Sequence, residues 1–241
     1  MRGIWLVARR EFQSYVNTTW GWAILALALL IDGLFFNVFA LTDTPQYSAE
    51  VLETFFYLTG GVVLTASVFV TMRLFAEERQ TGTIVLLETS PLSEPQIVLG
   101  KYLSGLAFVA LLALLTLYMP GMILKNGKVS GEEIAVGYLG VMLMGSAGVA
   151  IGTWASSIAR NQLLAGVVSA VFVVFFVACW KLAKVLDAPF RDVVSYLAFF
   201  EKQFKPFEEG RVDSESVVFF LSLTFGFLLL ANRSLVARRW E

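Results

Sequence analysis

Long apolar runs alternate with short polar segments along the whole chain. Six of these runs approach the ~20 residues that a helix needs to cross ~30 Å of hydrocarbon. The pattern therefore predicts an all-α polytopic membrane protein with six transmembrane helices, organised as one transmembrane domain over residues 1–241. The predicted spans are Trp20–Leu41, Phe55–Met72, Tyr102–Leu124, Ile134–Ile158, Leu163–Trp180 and Ser216–Asn232.

Residues 1–19 predict an amphipathic helix at the membrane surface. Apolar residues recur at three- and four-residue spacing from Trp5 to Tyr15, while Arg2, Arg9 and Gln13 fall on another side. The same residues also form a basic flank of the first span, and the two interpretations are compatible. Most lysines and arginines outside the fifth loop lie on the side of the N-terminus, which predicts that both termini are inside.

The fifth loop, residues 181–215, predicts structure of its own outside the membrane. Asp187 and Pro189 are typical of a helix start. The apolar stripe that follows predicts an outer amphipathic helix before the last span, lying on the membrane surface or re-entering it. A small cap packed on the spans is the alternative. The stripe consists of Phe190, Val193, Leu197, Phe200, Phe204 and Phe207.

The first inner loop, residues 73–96, carries more helix signals than a connector needs. Gly82 is a residue that commonly ends a helix, and Thr83 can cap a second short helix that Pro91 ends. Ser93 and Gln96 fit a capping box at the start of the third span.

The acidic head and apolar tail of this loop suit docking into a cleft on a cytoplasmic partner. Glu77 and Glu78 would there meet arginines of that partner. The alternative is that the two glutamates only solvate the membrane edge.

Small residues line one face of the fourth span. Gly145, Gly148 and Gly152 let helix backbones approach closely, which predicts packing inside the bundle, with a dimer face as the alternative. Asp32 is the only acidic residue deep within a predicted span, so it must face protein or water. It either lines a path or binds a cation, or it is a hydrogen-bonded structural residue.

Composition agrees with a membrane protein and removes several kinds of chemistry. Charged residues make up 15% of the chain, against ~25% in soluble domains. The absence of histidine removes histidine-based catalytic triads, histidine-ligated metals and histidine-dependent membrane proteases. The net charge of −1 without a basic block predicts no nucleic-acid partner. We therefore expect no catalytic, metal or cofactor-binding residues in this chain.

Three short segments of the first inner loop resemble the signature of type 2 ABC exporter permeases (ABC-2 family). Within that superfamily the chain is most similar to the gliding-motility-associated permease subunit. The length, the six-span layout and the Gly100–Leu103 entry to the third span are also similar, whereas Val85 stands where the family commonly has an acidic residue. The segments are Met72-Arg73-Leu74-Phe75-Ala76-Glu77-Glu78, Gly82-Thr83-Ile84 and Thr89-Ser90-Pro91.

The resemblance implies a two-permease machine in the bacterial cytoplasmic (inner) membrane. A second permease chain, identical or related, would pair with this one, and each would rest on a cytoplasmic ABC ATPase that binds ATP and Mg. An auxiliary membrane subunit with a large outer domain is a further expected partner, beside membrane lipid. The residues expected to couple to the ATPase, through a coupling helix, are Glu77, Glu78, Arg79, Gly82, Thr83, Ile84 and Leu87.

A phosphate-binding loop is missing from the sequence, so the ATPase is expected to be a separate chain. Such a loop needs Gly-x-x-x-x-Gly-Lys-Ser/Thr, and the nearest match, Gly100-Lys101-Tyr102, has Pro95 where the first glycine belongs. The predicted function is the permease subunit of an ATP-driven exporter. The alternative is a mechanotransmitter that moves an outer partner and passes no substrate. A secondary transporter would need paired charges within the membrane, and the predicted spans lack them.

Overall fold

The computed structural model describes residues 2–40, 47–84, 89, 92–187 and 189–238, and all regular structure in these residues is helical. Six helices are long and apolar enough to cross a membrane, which confirms an all-α polytopic membrane protein. The α-helices are α1 (Arg2–Asn17), α2 (Thr19–Phe35), α3 (Ser48–Thr71), α4 (Ala76–Gln80), α5 (Glu94–Thr116), α6 (Tyr118–Asn126), α7 (Gly131–Ile158), α8 (Gln162–Ala183), α9 (Phe190–Tyr196), α10 (Lys205–Glu208) and α11 (Ser214–Arg238), with π-helical segments at Phe36–Ala40 and Phe199–Phe204.

The helix boundaries differ from the predicted spans at several ends. The second span begins earlier, at Ser48, because its polar first turn continues the helix beyond the apolar run. The third span is interrupted at Leu117. Pro120 explains the break, since proline has no N–H to donate to the carbonyl of Thr116. At the start of α5, Ser93 is the N-cap and its N–H donates to Gln96 Oε1 at 3.2 Å, as the capping-box prediction requires.

Helix α7 is the centre of the bundle and contacts α3, α5, α8 and α11. Its glycines make this close contact possible. A Cβ added at Gly148 would lie 2.6 Å from Ser67 Oγ on α3, and one at Gly145 would lie 2.8 Å from Val109 Cγ1 on α5. A Cβ at Gly152 would overlap Thr71. All three glycines predicted as packing residues thus lie against neighbouring helices of the same chain.

The fifth loop differs from the single helix that its apolar stripe predicts. The backbone is extended at Ala198, so α9 ends there and a π-helical segment and α10 follow. Phe204 and Phe207 are buried beside Gly140 of α7, whereas Phe190 is exposed. The second half of the stripe packs into the bundle. Gly140 of α7 has no side chain, and this leaves room for the rings of Phe204 and Phe207. This part of the loop is a cap on the spans.

Candidate functional site

The first inner loop is anchored on the end of α7. After α3, the backbone N–H groups of Phe75 and Ala76 donate to Ser156 Oγ at 2.9 and 3.1 Å. These amides begin α4 and have no partner within that helix. Ser156 is buried, and Phe75 is packed in the core. The start of α4 therefore has a fixed position on α7.

Arg79 fixes the other end of α4 to the same helix. Its Nη1 donates to the carbonyl oxygen of Ala159 at 2.7 Å, and its Nη2 donates to the carbonyl of Ser157. Carbonyls in the last turn of a helix lack partners within the helix and carry partial negative charge. The guanidinium satisfies them, so Arg79 links α4 to the C-terminus of the fourth span.

Glu77 pairs with a residue of the same loop. Its carboxylate accepts from both Nε and Nη2 of Arg73 at 2.7 Å, and the Arg73 guanidinium also lies 5.9 Å from the centre of the Trp20 ring. The Glu77 side chain is 38% exposed. Of the two adjacent glutamates, Glu77 is the one that retains a surface for another molecule.

Glu78 belongs to a network of four charged side chains, Arg10, Glu11, Glu78 and Lys101, which we call the ion network. Glu78 Oε1 lies 3.0 Å from Lys101 Nζ and 3.2 Å from Arg10 Nη2. Lys101 Nζ also lies 3.2 Å from Glu11 Oε1, which Arg10 contacts at 2.8 Å. The network joins α1, α4 and α5. Glu78 therefore faces the protein and not the surface.

Lys101 is the buried centre of the ion network. Its side chain is 0% exposed, its ammonium donates to the carbonyl of Leu74, and the Phe75 ring lies 5.0 Å away. Gly100 lets α1 approach this point, because a Cβ there would lie 2.6 Å from Val7 Cβ and 3.0 Å from the carbonyl oxygen of Ile4.

The two cations of the ion network stabilise the ionised form of Glu11. Burial raises the pKa of the Glu11 carboxyl, but the neighbouring ammonium of Lys101 and guanidinium of Arg10 lower it, and the net pKa lies below its ordinary value. Glu11 is therefore held ionised beside the two cations. A buried ion pair that lost one member would leave an uncompensated charge, which is strongly destabilising.

The tip of the loop, as far as the structure describes it, is exposed. Gln80, Thr81, Gly82 and Thr83 are exposed. Gly82 has φ 72°, a left-handed conformation that glycine adopts without strain and that ends α4 as predicted. Ile84 is half-buried. Residues 85–88, which include Leu87 and most of the predicted second helix, lie outside the described residues.

Asp32 has a hydrogen-bonded position between the first two spans. It is buried, and its two carboxylate oxygens accept from Thr59 Oγ1 at 3.0 and 3.2 Å. The pair joins α2 to α3. This arrangement corresponds to the structural interpretation of Asp32 offered by the sequence.

Sequence reasoning missed the ion network, although two signals for it are present. Lys101 lies in an otherwise apolar helix, and Glu11 lies among the apolar positions of α1. Two opposite charges on facing apolar surfaces suggest a buried pair. Their partnership depends on α1 packing on α5, and nothing in the local pattern predicts that contact.

Comparison with known families agrees with this architecture. The family model for the ABC-2 family transporter protein matches residues 5–195, well over half of the chain. The chain therefore belongs to the ABC-2 family and is a multi-pass membrane subunit of an ABC transporter. Members of this family work with a separate cytoplasmic ABC ATPase. A search of curated proteins finds no match to this chain.

Proposed function

We propose that this chain is the permease subunit of an ATP-driven exporter and that the first inner loop couples it to its ATPase. The observation that carries the proposal is an exposed tip on a rigid base. The tip, Gln80–Thr83, is open, while α4 beneath it is anchored by Ser156, by Arg79 and by the ion network. A docking element needs both properties, since a flexible base would absorb the displacement of the partner.

The contacts of α4 suggest how movement would reach the spans. Arg79 connects the tip to the end of α7, and Glu78 connects it through Lys101 to the start of α5. Nucleotide binding that closes a pair of ATPases would shift the docked tips. The shift would then be carried to the third and fourth spans together, and the central helix α7 would transmit it to its neighbours.

The family relation supports the ATPase partner, and the other expected properties are predictions from the resemblance. A second permease chain, export as the direction of transport, the gliding-motility subtype and an auxiliary outer subunit belong to this group. A bacterial cytoplasmic membrane also belongs to it. ATP and Mg would be bound by the ATPase. The catalytic cycle would thus lie in the partner, while this chain supplies the moving membrane part.

Adding bulk and charge at the tip tests the docking step. The variant is Thr81→Arg with Thr83→Arg, and the control is Val185→Arg with Asp187→Arg, two exposed positions at the same spacing in the fifth loop. Each chain is purified with its cognate ATPase. We expect the tip variant to lose co-purification and stimulated ATP hydrolysis, and the control to retain both. Wild-type binding and stimulation by the tip variant would rule out docking at this loop.

A further inference from the structure

An apolar groove runs along the first two spans, α2 and α3. It has a volume of about 590 Å³, which lies within the range of small-molecule pockets. Its wall on α2 extends from Trp20 to Phe35, and its wall on α3 extends from Tyr57 to Phe69. We call it the α2–α3 groove. Fifteen helical steps on α2 make it about 22 Å long, longer than half of the ~30 Å hydrocarbon layer.

A second cavity of about 360 Å³ meets the groove at one end, and we call it the acidic cavity. Tyr57 and Phe200 line both spaces, with ring centroids 4.9 Å apart. This end of the bundle carries the fifth loop and lies opposite the ion network. The other residues of the acidic cavity are Glu53, Thr54, Glu201, Lys205 and Glu208.

The three carboxyl groups that line the acidic cavity outnumber Lys205, the cation that lines it with them. In the part of the chain that the structure describes, none of Glu53, Glu201 and Glu208 forms a salt bridge. Glu208 Oε1 is buried and accepts no hydrogen bond from any residue that the structure describes. The two aromatic rings beside them can attract a cation through their faces. The cavity therefore complements a small cation that donates hydrogen bonds.

We propose that the α2–α3 groove and the acidic cavity together bind a membrane phospholipid with a primary amine in its head group. An acyl chain would lie between α2 and α3, and the ammonium would lie among the three carboxylates. The charge selects the head group, because an anionic lipid would meet like charges. A quaternary ammonium lacks the N–H groups that Glu208 Oε1 requires.

The raised pKa of Glu208 agrees with a cation-binding cavity. Burial, followed by the nearby carboxylates of Glu53 and Glu201, raises the pKa of Glu208 to about 8, while Lys205 lowers it and Glu209 raises it further. A bound ammonium would replace part of this repulsion with attraction. Binding would then favour the ionised form and release a proton near neutral pH.

Lipid competition on the purified chain tests the proposal without ATP or an ATPase. The chain in detergent is incubated with equal amounts of dioleoyl phosphatidylethanolamine, phosphatidylcholine and phosphatidylglycerol, and native mass spectrometry counts the retained lipids. We expect the ethanolamine lipid to exceed each of the other two by about tenfold, the effect of one charge-assisted hydrogen bond. Equal retention of the three lipids overturns the proposal.

Two variants locate the site. Gly61→Leu places a side chain in the groove, and Gly226→Leu on α11 is the matched control, since a Cβ at either glycine has nothing within 4 Å. The first should lose the retained lipid and the second should keep it. Loss of a dimer by Gly61→Leu with unchanged lipid retention would identify the groove as an interface between two copies and refute the lipid site.

The head group is tested separately by replacing Glu53, Glu201 and Glu208 with glutamine in one chain. This variant should still retain lipid in the groove but lose the preference for ethanolamine. A preserved preference would show that the acidic cavity does not select the head group. Because the readout is binding alone, failure of ATPase coupling leaves the result unaffected, and failure of lipid binding leaves the coupling proposal unaffected.

Discussion

The ammonium of Lys101 lies 3.0 Å from Glu78 Oε1, and the Lys101 side chain is completely buried. This contact joins the first inner loop to the beginning of the third span, away from water. A surface ion pair would contribute little and would rearrange easily. A buried one is held by the cost of exposing either partner as an unpaired charge. The pair is therefore suited to carry displacement between the two segments.

Replacing Lys101 with methionine should destabilise the chain by up to about 3–5 kcal/mol, because Glu78 and Glu11 would lose their buried cation and keep only the exposed Arg10. Thermal unfolding of the purified protein measures the effect. Lys125→Met, at an exposed lysine, is the control and should change little. Combining Lys101→Met with Glu78→Gln should cost less than the two single changes together. Strict additivity would show that the two side chains do not interact.

Alanine at Glu77 and at Glu78 should have different effects, although the residues are adjacent. The partly exposed i,i+4 pair of Glu77 with Arg73 is worth about 0.5 kcal/mol, so Glu77→Ala should change stability little. Glu78→Ala should lower it more, because Glu78 is 14% exposed and contacts Lys101. The double variant should insert into the membrane but uncouple ATP hydrolysis. Unchanged ATPase stimulation in that variant would count against the coupling role.

Leucine at Gly148 should destabilise the bundle by about 1–3 kcal/mol or more through overpacking. A Cβ at this position already meets Ser67 Oγ at 2.6 Å, and the helices would have to separate. Gly121→Leu is the control, because a Cβ at Gly121 has nothing within 4 Å. Thermal unfolding of both variants in the same detergent provides the comparison, and equal melting temperatures would contradict the packing role of Gly148.

Glu208→Gln should change how stability depends on pH. The pKa of Glu208 is about 8 in the folded chain, against an ordinary value of 4.5. The stability associated with its protonated form is complete below about pH 4.5 and is lost as pH rises through about 8. Glutamine cannot ionise, so the variant should gain relative to the wild type across this interval. Melting temperatures at pH 5 and pH 8.5 test this, with Glu132→Gln as the control; parallel pH profiles would disagree with it.

The sequence predicted the parts of the fold that depend on local pattern. Six apolar runs predicted six spans, the Ser93 capping box predicted where the third span begins, and Gly82 predicted where α4 ends. The stripe from Phe190 to Phe207 predicted a single helix and was less informative. Its periodicity indicates which residues share a face, but not whether that face meets lipid or protein.

The order of amino acids is enough to identify a six-span membrane protein, because apolar length and the cost of unpaired backbone groups in lipid leave few alternatives. It also indicated that the first inner loop is structured. Which charges meet depends on the packing of helices that are distant in the sequence. Glu11 and Lys101 become partners because α1 and α5 pack closely at Gly100, and Glu208 joins Glu53 because α10 folds back on α3. Such contacts depend on the packing of distant segments, and a local sequence pattern does not predict them.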